Sequence, residues 1–174
     1  MVFGRRPIPL DRRRDGAIVV GLQDNERDVL RNLLAQLRML VRAEAGGADQ
    51  TGDVVDETSP VRRLFPTAYP GDVAREGEYQ EMVRGPLVEQ RLASIDTVDQ
   101  TLDSDTIDDD TAGAWLRTLN DLRLVVGTRL DVSEDQTEVD PDDPDAHLHA
   151  VYDYLGFLVD RLVVALTQTL PELG

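Results

Sequence analysis

The sequence predicts an all-α fold, a helical bundle with a short N-terminal β-hairpin, and three observations carry that prediction. In residues 114–130, AWLRTLNDLRLVVGTRL, Trp115, Leu119, Leu122, Val126 and Leu130 recur at helical spacing and share one face. In residues 24–45 the same spacing aligns Leu30, Leu33, Leu34, Leu37, Leu40 and Val41. Residues 151–166 are apolar on almost every side, which suits a helix in the middle of a bundle or beneath a partner. At 174 residues the chain makes a single helical domain over 1–174. A domain of that size buries about 68–70% of its unfolded surface, so the core needs no staples.

Composition narrows the chemistry. Cysteine is absent, which removes disulfides, thiolate zinc sites and thiol redox reactions. The basic N-terminus lacks the apolar h-region of a signal peptide, and the apolar run 162–166 is far too short for a membrane span. A cytoplasmic protein without membrane contact is expected. There are 18 basic and 34 acidic residues, a formal charge of −16, and every basic residue is arginine. That composition fits GC-rich coding or salt adaptation. The charge exceeds the magnitude of about 2–8 usual for a small domain and repels phosphate backbones. Direct nucleic-acid binding by the domain as a whole is therefore not expected.

In chain order, residues 1–23 form a basic arm and hairpin. Arg5, Arg6, Arg12, Arg13 and Arg14 stand there beside one aspartate, Asp11, before the Asp15-Gly16 turn. Pro7 and Pro9 argue against a helix, while the alternating Ile8 and Leu10 and the β-like run 17–22 argue for two strands. One reading is a ribbon capping the bundle, its arginines drawn to the acidic body. The other is an electrostatic handle for a partner.

Asp24 is placed to cap the first helix, which runs to about Ala45 before Gly46-Gly47. Arg27, Arg31, Arg38 and Arg42 nearly align on another of its faces. They form either a solvated, internally paired row or a docking strip for an acidic partner. Residues 46–58 read as a mobile acidic loop. Ser59-Pro60 starts a short helical turn, and Pro66 and Pro70 stop helix formation in RRLFPTAYPGD, residues 62–72. Phe65 and Tyr69 in that segment are both expected to point inward.

Gly71 or Asp72 opens a helix to about Val83, which Gly85-Pro86 ends. The next helix spans 86–102, with Leu87, Val88, Leu92, Ile95, Val98, Leu102 and the stem of Arg91 as its buried side. An acidic turn, 103–110, leads into the central helix at 114–130. Beside that helix's apolar stripe lies a second row, Asn120, Arg123 and Gly127. Glycine costs about 1 kcal/mol relative to alanine in a helix, so Gly127 implies close approach by another helix. Residues 131–143 form a second mobile acidic loop. Counted from Asp131 as a calcium loop, its sixth and twelfth positions hold Gln136 and Asp142 where glycine and glutamate are required, so that match fails. The last helix runs from near Pro144 to about Leu170. Its Asp153, Gly156 and Asp160 share a narrow stripe that either faces the Asn120/Arg123/Gly127 row, with an Asp–Arg pair across it, or points to water.

Catalytic motifs are missing. No serine sits in a G-x-S-x-G elbow. His147 and His149 are two apart and diverge around a helix, so they make no i, i+4 metal pair. A G-x-x-x-x-G-K-[ST] loop is impossible without lysine. No cofactor, metal or enzymatic activity is expected; an Asp/Arg pocket at Asp153, Asp160 and Arg123 is the arrangement that would argue otherwise.

With RLFPTAYP and WLRTLNDLRLVVGTRLDV in view, the chain resembles an actinobacterial domain-of-unknown-function family, that of the actinomycete oxidative stress regulator AosR. The likeness covers the ribbon and first helix, Arg63-Leu64-Phe65-Pro66 with Ala68-Tyr69-Pro70, residues 119–130 and the acidic DPDDPDA. It implies a cytoplasmic regulator that contacts an extracytoplasmic-function sigma factor and raises antioxidant and cysteine-synthesis genes. The family's gene neighbourhood also implies the adaptor of the Clp protease as an alternative partner. The redox-sensing form uses a Cys-x-x-x-Cys pair, and this chain has no cysteine, so no redox residue carries over. The expectation is a non-enzymatic regulator working by protein–protein contact, monomer or homodimer, through the arginine row and the basic arm.

Overall fold

A computed structural model describes residues 8–46, 59–61, 63–130 and 144–168. It contains four helices, α1 (Asp24–Gly46), α2 (Val73–Thr101), α3 (Asp109–Arg129) and α4 (Ala146–Thr167). Three two-residue strands, β1 (Asp11–Arg12), β2 (Ile18–Val19) and β3 (Thr106–Ile107), form one antiparallel sheet. The helical bundle with an N-terminal hairpin is the fold the sequence predicts. Arg5 and Arg6 and the loops expected over residues 47–58 and 131–143 lie outside the described residues, and Gly46 belongs to α1.

The central helix α3 holds the bundle together. It packs on α4 and α2 and more lightly on α1, while α1 rests on α2 and β1 rests on α4. Asp108 caps it, accepting the Thr111 backbone N–H at 2.8 Å. Trp115 is fully buried, and its indole N–H donates to Thr101 Oγ1 at 2.9 Å, pinning the end of α2. Leu119, Leu122 and Val126 are buried with it, and Leu130 packs at the edge of the same core.

In α1 the predicted stripe is the buried one: Leu30, Leu34, Leu37 and Val41 are nearly inaccessible, and Leu33 and Leu40 flank them. Asp24 falls within the first turn instead of before it. The Gln23 N–H donates to Glu26 Oε2 at 2.7 Å, the returning half of a capping box.

Two expected helices prove to be one. α2 runs unbroken through Gly85-Pro86. Proline removes one hydrogen bond, but Gly85 and Pro86 are exposed and Met82 is 76% exposed, so the carbonyl left over faces water. Val88, Ile95 and Val98, buried beyond the proline, anchor the second half of the helix in the core. Asp72 caps α2 through the Arg75 N–H at 3.1 Å, as the sequence suggested, whereas Val73 is exposed.

The hairpin has the register Asp11↔Val19 and Arg12↔Ile18. Its turn is closed by the Gly16 N–H on Arg13 O at 3.0 Å. Strand β3 was not expected; it pairs Ile107 with Ile18 inside the segment read as an acidic turn. Gly21 has φ +59°, and a Cβ there would meet Ile8 O and Pro9 Cα at 3.2 Å, so the chain passes itself only with glycine.

Candidate partner surface

The α1 arginines are turned mostly to internal use. Arg27 donates to the Leu22 and Leu102 carbonyls. Arg31 pairs with Asp28 at 2.8 Å and with Asp103 at 3.0 Å. Arg38 reaches Asp96 at 2.7 Å and Asp99 at 3.2 Å on α2, and the Asp96 hydrogen bond raises its already high pKa further. Arg42, at the far end, is exposed. The row is chiefly a seam joining α1 to α2 and the turn after it, with Arg31 and Arg42 still exposed.

The basic arm divides in the same way. Arg12 is only 6% exposed and is fully engaged. Its Nε donates to Ala165 O at 2.7 Å, Nη1 to Gly16 O at 2.7 Å and Nη2 to Asp109 Oδ1 at 2.6 Å. It therefore ties the hairpin to the end of α4 and the start of α3. Arg13 and Arg14 are exposed.

Phe65 is buried as expected, with the guanidinium carbons of Arg84 and Arg91 each 5.5 Å from its ring centroid. Tyr69 is not inward. It is 40% exposed and meets Tyr79 edge to face at 5.9 Å under Arg75. Its backbone N–H and that of Ala68 donate to Glu76, so the loop is fixed by its main chain and the ring is left outside.

The glycine rows on α3 and α4 do mark a close approach. A Cβ on the buried Gly127 would lie 3.0 Å from Tyr152 Cε2, and one on Gly156 would lie 3.6 Å from Arg123 Nε. No Asp–Arg pair bridges them among the described residues. Arg123 lies over the Tyr152 ring at 4.9 Å, and Asp153, Asp160 and Asn120 are exposed. The aromatic ring supplies the cation's partner inside the contact, so the carboxylates are left outside it.

One buried pair escaped the sequence reading. Arg91 on α2 meets Asp121 on α3, which is 5% exposed, and also donates to Leu64 O at 2.9 Å. Burial pushes the Asp121 carboxyl above the usual range, although Arg91 pulls it down. The signal available was Asp121's place beside Leu122 and three residues after Thr118, a row that proves to be buried. With Arg117, Ser94, Gln90, Asn120 and Leu87 this pair lines an open groove of about 230 Å³. Ser94 accepts from Arg117 Nε at 3.2 Å, so the groove's one hydroxyl is engaged by a cation. Among the described residues no group of three or more His, Asp or Glu side chains could hold a metal ion.

Exposed apolar side chains stand on α1 (Met39) and α2 (Val73, Met82), and three share the outer side of α4. Its inner face, Leu155, Leu158, Leu162 and Ala165, is buried against the body. The solvent side carries Phe157, Val163 and Val164, each between 42% and 45% exposed, along with the exposed Asp153 and Asp160. A helix expected in the middle of the bundle or beneath a partner is thus an outer one, with apolar side chains on its solvent side. No helix among the described residues is long and apolar enough to cross a membrane.

No curated protein and no solved structure matches the chain. A family model does, over residues 7–166, from the first proline of the arm to the last turn of α4. The chain accordingly belongs to the family described as domain of unknown function (DUF2017).

Proposed function

We propose that this protein is a non-enzymatic, cytoplasmic regulator that acts by binding another protein, a sigma factor or another part of the transcription machinery, in a stress response. The observation that supports this reading is the outer side of α4, where Phe157, Val163 and Val164 stand in solvent within one helix. The resemblance of RLFPTAYP and WLRTLNDLRLVVGTRLDV to the actinobacterial oxidative stress regulator supplies the class of partner. Without cysteine, its signal is something other than thiol oxidation. The α2–α3 groove supports the non-enzymatic part, because its carboxylate and hydroxyl are each engaged by an arginine.

The test is affinity capture with the tagged full chain against purified sigma factors and RNA polymerase subunits. Stoichiometric recovery of one of them is the expected result. Recovery of none, or of the Clp adaptor and unfoldase instead, would overturn the reading.

A further inference from the structure

We infer that the outer face of α4 docks one amphipathic helix of another protein, a helix with arginine or lysine beside its apolar stripe. This rests on the protein-contact reading above. Asp153, Phe157, Asp160, Val164 and Thr167 follow i, i+4, i+7, i+11 and i+14, a straight line along the helix, with Val163 beside it. At 1.5 Å per residue that line is roughly 21 Å long, enough for about four turns of a partner helix. Helix-in-groove recognition uses anchors at this spacing.

Charge selects the occupant. The exposed charges on the line are both carboxylates. The nearby cations are engaged elsewhere: Arg161 donates to Asp11 on β1 at 2.6 Å, and Arg123 is stacked on Tyr152. A second copy of this chain would set one carboxylate-bearing face against another, between two bodies of −16 each. A helix with basic flanks neutralises those carboxylates while covering Phe157 and Val164.

The probe is a synthetic amphipathic peptide of about five turns with leucines on one face and arginines beside them. A control peptide carries glutamate for every arginine. Binding to the full chain is followed by fluorescence anisotropy, and its location by amide hydrogen exchange. The arginine peptide is expected to protect residues 146–167. Its affinity should fall about tenfold in Phe157→Ser/Val164→Ser, and likewise in Asp153→Asn/Asp160→Asn. All four positions are on the surface, so unchanged melting of both variants keeps the comparison clean. Equal binding of the glutamate peptide, protection elsewhere, undiminished affinity in Phe157→Ser/Val164→Ser, or a concentration-dependent dimer abolished by those substitutions would each overturn the inference. If the same double variant still captures a sigma factor, the surface is wrong and the regulatory role stands. If the peptide binds as expected but no transcription protein is captured, the role is wrong and the surface stands.

Discussion

Gly127 on α3 lies directly against Tyr152 on α4: a methyl group added at Gly127 would stand 3.0 Å from the ring's Cε2. The ring cannot swing aside freely, because the Arg123 guanidinium sits over it at 4.9 Å. Gly127→Leu overpacks this contact and is expected to cost about 2 kcal/mol, a melting temperature lower by roughly 4–8 °C for a domain of this size. In the double variant Gly127→Leu/Tyr152→Ala the combined loss should be about 1 kcal/mol smaller than additivity gives. Strict additivity in thermal melts would show that the two residues do not press on each other.

Arg91 and Asp121 cross the α2–α3 interface with side chains 18% and 8% exposed. Removing one partner leaves the other charge underground, so Asp121→Ala should destabilise by about 3 kcal/mol. Arg91→Met/Asp121→Leu should recover most of that loss, since an apolar pair avoids desolvating two ions. Trp115, the chain's single tryptophan, reports both variants in urea titrations followed by fluorescence. A loss below about 0.5 kcal/mol for Asp121→Ala would mean that the pair is not structural.

Acid should act through the helix caps. Hydrogen bonds from the Thr111 hydroxyl and backbone N–H hold Asp108 below the usual carboxylate range. Its folded value is the lower one, so its contribution is complete above an unfolded pKa of about 4 and disappears as pH falls through the folded value. Asp108→Ala is therefore expected to lower the urea midpoint at pH 7, and the difference from wild type should close as the pH drops below about 4. A difference that persists unchanged into acid would contradict the capping role.

Arg12 joins β1 to both α3 and α4 with three donors used at once. Arg12→Ala should cost about 2–3 kcal/mol, and Arg12→Lys should restore little, because an ammonium cannot reproduce the planar fork. Amide exchange supplies the readout: residues 10–20 should open in both variants while α3 stays protected.

How far the sequence led depended on whether the decisive contact was local. The stripes of α1 and α3 are periodic within themselves, and their buried residues were legible one by one. Pro86 misled because its usual effect holds for an interior turn, and here that turn faces water. Tyr69 misled because the hydrogen bonds that fix its loop come from Glu76, whose side chain captures main-chain amides and leaves the ring no need to anchor. The arginine row's ordering was plain, but its partners Asp96 and Asp99 lie some sixty residues downstream, and no spacing rule pairs them. The glycine rows of α3 and α4 could be read as either facing or solvent-turned, and they split: Gly127 and Gly156 meet Tyr152 and Arg123, while Asn120, Asp153 and Asp160 face water. Strand β3 is two residues long, too short for any alternation to show.

That third strand has a consequence for the newborn chain. Ile18 has its inner neighbour at Ile107, and Arg12 finds its acceptor at Ala165, so the beginning of the polypeptide waits for its middle and its end. A ribosome that has released only the first hundred residues holds a hairpin with no seat, its Leu10, Ile18 and Val20 uncovered. The hairpin therefore docks only once α3 and α4 are present, and a chain truncated before α4 is expected to leave it unlatched.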